Sequence, residues 1–165
     1  MSLRQKYYAQ PDGSTVPDVA LTGNPGTDQI TLTNAGYLGG VIMTLYVSST
    51  AGRGVVIGPC DASAGDIPFG FLLNGPGEFA GAIGPSGSGK APVLRALAQF
   101  YVDTQAYDTA DTFTVGEYVY CGGGAQKGLF TSAAATGTTP YVEPVGICTQ
   151  APTAQDPWLG VASLL

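Results

Sequence analysis

Two stretches of this chain carry residue types that can do chemistry, and one catalytic residue type is missing altogether. Asp103, Asp108 and Asp111 bring carboxylates together within Asp103-Thr104-Gln105-Ala106-Tyr107-Asp108-Thr109-Ala110-Asp111. Such oxygens are what a hard cation such as Ca²⁺ takes as ligands. The run lacks the Asp-x-Asp-x-Asp-Gly spacing of an EF-hand loop. The favoured reading is therefore aspartates that accept backbone N–H groups in turns between strands, with no metal expected. Gly84-Pro85-Ser86-Gly87-Ser88-Gly89-Lys90 follows the G-x-x-x-x-G-K spacing of a phosphate-binding loop. That loop needs a Ser or Thr next, because its hydroxyl ligates Mg²⁺, and here Ala91 stands there. Pro92 then removes an N–H from the turn that should present such groups to phosphate. The motif is read as a Gly/Ser-rich loop with a solvated lysine, so no nucleotide cofactor is expected. The chain has no histidine, which removes Ser–His–Asp, Cys–His and His-ligated metal chemistry. No pair of carboxylates stands out for glycosidase work.

The remaining candidates are contact residues rather than catalytic ones. Tyr7 and Tyr8 sit near the N-terminus and Trp158 near the C-terminus, and large aromatics of this kind anchor interfaces. Phe100, Phe113 and Phe130 read as core. Cys60, Cys121 and Cys148 are odd in number, widely spaced and never C-x-x-C. They read as buried thiols acting as small hydrophobes, with nothing nearby to lower a thiol pKa.

Composition excludes further classes. Charged residues are 11% of the chain, against about 25% in an ordinary soluble domain. A surface so poor in Lys, Glu, Arg and Asp is expected to be Thr, Ser, Gly and Tyr, or to be buried against copies of itself or a larger partner. Net charge is −6, with 6 basic residues against 12 acidic ones. No Lys/Arg stripe neutralises several phosphates, so nucleic acid is not an expected partner. The longest apolar stretch, 37–47, is shorter than the ~20 residues of a membrane span, so no membrane is expected either. Met1-Ser-Leu-Arg-Gln-Lys begins basic with no apolar core after it. No secretory signal is expected, and folding in a cytosol is.

The elements that position these residues read as strands. Residues 1–29 hold Pro11, Pro17 and Pro25, turn formers such as Pro11-Asp12-Gly13 and no sustained periodicity, which predicts an extended N-terminal arm. From there a single β-rich domain spans 30–165. Ile30-Thr31-Leu32-Thr33, 41–47, 54–58, 112–120, 129–131, 144–148 and 158–162 are the predicted strands. Ile67-Pro68-Phe69-Gly70-Phe71-Leu72-Leu73 carries a proline, which predicts a sheet edge or a loop. Residues 92–102 fit a helical face and a strand about equally. Short strands with frequent Gly/Pro/Asn/Asp punctuation predict an all-β fold, a compact sandwich or small barrel with an extended arm.

Three ordered segments then carry a family likeness. Asp66-Ile67-Pro68-Phe69-Gly70-Phe71-Leu72-Leu73 has a D-x-P-x-G-x-L-L pattern. Tyr101-Val102-Asp103-Thr104 with Tyr107-Asp108 and the run 113–120 resembles F-x-V-D, Y-D and Y-x-x-G-D-x-L-Y, with Glu117 where Asp is usual. Pro144-Val145-Gly146 through Ala151-Pro152, closing on Asp156-Pro157-Trp158-Leu159-Gly160-Val161, resembles V-G-x-V-x-x-A-P and D-x-x-L-G-V. Together these resemble the decoration (cement) proteins of tailed-phage heads over roughly the last hundred residues. The resemblance implies a non-enzymatic virion protein on the capsid exterior, made in the host cytoplasm. Its implied partner is the major capsid protein, and its implied state a homotrimer. Other readings of the same composition are a head fibre base or minor tail protein, or a carbohydrate-binding β-sandwich using exposed Tyr and Trp158.

Overall fold

The structure, a computed structural model, describes residues 4–7, 15–20, 40–47, 55–72, 90–94 and 101–165. The chain is all-β, with two antiparallel sheets. The six-stranded sheet runs β1 (Arg4–Tyr7), β7 (Tyr101–Thr104), β11 (Leu159–Ser163), β10 (Gly146–Gln150), β8 (Tyr118–Cys121), β9 (Phe130–Thr131). The five-stranded sheet runs β2 (Thr15–Ala20), β6 (Lys90–Leu94), β5 (Pro68–Leu72), β3 (Ile42–Val47), β4 (Val55–Pro59). Two one-turn 3-10 helices, Ala62–Ala64 and Gly124–Gln126, complete the regular structure of the described residues.

β3 forms in a run rich in β-branched and aromatic residues, and it pairs with β4 in unbroken register from Met43↔Pro59 to Val47↔Val55. Elsewhere the proline and glycine positions shift the outcome. β5 is not an edge strand or a loop: it lies between β6 and β3. Pro68 is tolerated because it opens the strand at a register shift in the β3 pairing, and the Thr44 hydroxyl donates to the Ile67 carbonyl at 2.6 Å. Pro17 likewise falls inside the register shift between Val16 and Val19 on an edge strand. The ambiguous segment resolves to strand at both ends, in β6 and β7. Of the predicted 112–120 strand only 118–120 forms, within β8. Gly116 takes φ +90° and Glu117 N–H donates back to Thr114 O, so the chain turns before β8 begins. Within the segment read as an arm, β1 and β2 are edge strands, one in each sheet of the chain's own fold. The predicted strand at 30–33 and Phe100 lie outside the described residues.

The core sits where the two sheets meet. Phe71 of β5 stacks on Phe130 of β9 with centroids 5.5 Å apart and planes at 24°. Ile42 and Phe71 pack in one buried cluster with Val102, Val119, Phe130 and Val161 of the other sheet. Backbone hydrogen bonds knit the junction: Ile42 N to Gly128 O (2.8 Å), Gly128 N to Cys60 O (2.7 Å) and Ala62 N to Gly122 O (3.2 Å). Gly128 makes this approach possible. Its φ is +77°, and a Cβ there would stand 2.6 Å from Val41 Cγ1 and 3.1 Å from Pro59 Cβ.

Candidate functional site

In a paired sheet, directly opposite residues point to the same face. In the six-stranded sheet Tyr118 faces Ile147, Ile147 faces Ala162, and Ala162 faces Tyr101. The next residues along these strands, Val119, Cys148, Val161 and Val102, are buried, which makes the Tyr118–Ile147–Ala162–Tyr101 row the outer one. Tyr118 is 55% and Tyr101 44% exposed, and Ala162 is covered between its neighbours at 5%. The row crosses three strand spacings, about 14 Å. Leu164, two residues beyond Ala162, is exposed as well.

The row carries no ionisable side chain apart from the two phenols. The carboxylate next to it on the same face, Asp103, is only 2% exposed and faces Gly160. Among the described residues no buried side-chain nitrogen or oxygen lacks a hydrogen-bond partner, so the buried Asp103 is compensated. The register sets Arg4 of β1 opposite Asp103 and Tyr7 opposite Tyr101. Tyr7, singled out in the sequence as a contact residue, thus occupies the register position that continues the row onto a fifth strand. Tyr8 lies outside the described residues. Trp158 is half-buried just before β11, in a segment pinned by the Gln150 side-chain amide, which donates to Asp156 Oδ2 at 2.8 Å and to the Trp158 carbonyl at 3.4 Å. Tyr101, Tyr118 and Ile147 were not singled out in the sequence. The signal that finds them is the Tyr-Val pairing at 101–102 and 118–119, in which valine takes the core and tyrosine the opposite face.

A second feature is an open groove of about 320 Å³ whose lining includes Ser63, Asp108, Asp111, Gln126 and Thr131. It brings together Asp108 and Asp111 but not Asp103, which sits on β7. Both groove aspartates hold turns. Asp108 Oδ1 accepts from Ala110 N at 3.0 Å, and Asp111 Oδ2 accepts from Ser132 N at 2.6 Å. Among the described residues no group of three His, Cys, Asp or Glu could hold a metal ion, so the acidic trio is not a cation cluster. Among the described residues no lining residue of the groove is aromatic. Of the phosphate-loop motif only Lys90 is described. It opens β6, opposite Ala20 of β2, whereas a phosphate loop feeds its lysine into a helix N-terminus.

At one end of the groove Asp61 ties the two 3-10 turns together. Its Oδ1 accepts from Ser63 Oγ (2.6 Å), Ser63 N (3.2 Å) and Gly124 N (2.9 Å). The Ser63 hydroxyl first, then the Gly124 amide, hold its carboxyl below the ordinary value of 3.8. All three cysteines are free and buried. Among the described residues no helix is long and apolar enough to cross a membrane.

Compared with known protein families, curated proteins and solved structures, the chain finds no match.

Proposed function

We propose that this chain is a non-enzymatic decoration protein of a tailed-phage head, binding the outer surface of the shell and stabilising it. The observation that supports this reading is the outward row Tyr118–Ile147–Ala162–Tyr101, an uncharged stripe on a chain with only 11% charged residues. A face of this kind gains free energy only when another surface covers it. The occupant we assign is the major capsid protein. β1, at the edge of the same sheet, contributes Tyr7 to the contact, and homotrimerisation covers further charge-poor surface. Binding only the assembled shell stabilises it by linkage. The ordered likeness of 66–73, 101–120 and 145–161 to decoration proteins points the same way.

The test is to add the purified chain to heads assembled without it, then measure co-sedimentation and the temperature at which the heads open. The reading expects saturable binding and a raised opening temperature. Heads that neither bind the chain nor gain stability would refute it.

A further inference from the structure

We propose that Cys60 and Cys121 are a disulfide-forming pair that bolts the two sheets together when the protein is oxidised. Cys60 directly follows β4 of the five-stranded sheet, and Cys121 ends β8 of the six-stranded sheet. They are 61 residues apart in the chain, yet the Cys121 thiol donates to the Cys60 carbonyl at 3.5 Å. The backbones beside them are bonded directly, Ala62 N to Gly122 O at 3.2 Å, with Gly128 N donating to Cys60 O at 2.7 Å. These contacts bring the Cys121 sulfur to 3.5 Å from the Cys60 backbone, and a disulfide asks for a Cα separation of about 4.4–6.8 Å. Cys60 is 0% and Cys121 1% exposed, both in the same core cluster. A hydrogen bond shared with the Cys121 thiol, then burial, pushes the Cys60 thiol far above the ordinary thiol range. In the reduced protein Cys60 therefore keeps its proton, with the Cys121 thiol beside it. Cys148, buried in β10, is the built-in control: its thiol is raised by burial, with no second cysteine among the causes.

The chemistry balances with a low-molecular-weight disulfide as oxidant. One protein thiol, deprotonated during a local opening, attacks the small disulfide and releases one small thiol. The second protein thiolate then displaces the other small thiol from the mixed disulfide and closes the S–S bond. Two protons and two electrons leave the protein, and the small disulfide departs as two thiols. Because both sulfurs are buried, closure waits on that opening and is slow. Closing so long a loop is expected to raise Tm by about 10 °C. The inference is independent of which partner the outer row of tyrosines meets.

The experiment incubates the reduced full-length protein with excess oxidised glutathione a few degrees below its Tm, then reads intact mass, linked peptides, free thiols and Tm. The expected product has lost two hydrogen atoms and joins the Cys60 and Cys121 peptides. It keeps one thiol, Cys148, and gains the Tm increment, which dithiothreitol reverses. Cys121→Ser is expected to show neither the link nor the increment. The proposal is overturned by three thiols that persist, by stable glutathione adducts in place of a link, by a link through Cys148, or by a linked product with unchanged Tm.

Discussion

The Tyr118→Lys substitution tests the docking face most sharply. Tyr118 leaves 55% of its surface exposed on the outer side of the six-stranded sheet. Taking about 200 Å² for a tyrosine, covering that fraction removes about 110 Å² from water, worth about 2.7 kcal/mol at ~25 cal/mol/Å². Lysine forfeits that contact and asks the interface to bury an unpaired ammonium, which adds further cost. Affinity for heads is therefore expected to fall at least about a hundredfold. The fold itself loses little, because a lysine stem covers the neighbouring Ile147 and the ammonium stays in water, so Tm is expected to move by less than about 5 °C. Tyr101→Lys is expected to act similarly. Since Tyr101 and Tyr118 are about 14 Å apart, the two effects should add. The control is Ile67→Lys, which removes a side chain that is 70% exposed but not on this row. Titration of labelled protein against a fixed amount of heads reads all of these. Wild-type affinity in Tyr118→Lys, or an equal loss in Ile67→Lys, would show that the row is not the contact.

Three further outcomes follow from the same coordinates. The Asp61 carboxyl is held below 3.8 in the folded chain; its contribution is full above the unfolded value and is lost as pH falls through the lower folded one. Asp61→Asn is thus expected to cost about 1 kcal/mol at neutral pH and to flatten the acid side of the stability curve, read by urea unfolding from pH 6 down to about pH 2. Gly65 ends the first 3-10 turn at φ +84°, and a Cβ there would meet the Thr139 carbonyl oxygen at 2.6 Å. Gly65→Ala is expected to cost about 2 kcal/mol or more, a fall of about 6 °C in a thermal melt. Because Lys90 opens a strand, adding Mg-ATP is expected to leave Tm unchanged, whereas a ligand at a hundred times its Kd would raise stability by about 2.7 kcal/mol.

Much of this fold was legible in the residues. The β-branched run at 41–47 and the short apolar segments 54–58, 129–131, 144–148 and 158–162 became β3, β4, β9, β10 and β11 within a residue or two, because local preference and packing agree there. The failures came where one residue was given too much weight. Pro68 suggested an edge, but a proline that opens a strand costs an interior sheet little. The alternation through 112–120 looked continuous, yet Gly116 turns the chain, leaving Val115 exposed and Phe113 buried. Asp103 shares only sequence proximity with Asp108 and Asp111; it is buried on β7, while the other two hold the turns that follow. The adjacency of Cys60 and Cys121 depends on how the two sheets dock, which no local pattern encodes. The outer tyrosine row needs strand order as well as parity, since its members come from β7, β8, β10 and β11.

These features give the molecule two distinct faces of one sheet. The inner face is apolar and locked to the second sheet by the Phe71–Phe130 stack, so it serves stability. The outer row is uncharged and registered across four strands, which suits it to a flat, extended contact. Rigidity matters to such a contact, because side chains already fixed by cross-strand neighbours lose little entropy on binding.

The most direct test of the central claim is the number of copies of this chain per major capsid protein in purified particles, by quantitative mass spectrometry. A decoration protein is expected at a fixed ratio comparable to that of the shell subunit. A few copies per particle, or none, would contradict that role and return the outer face to another partner.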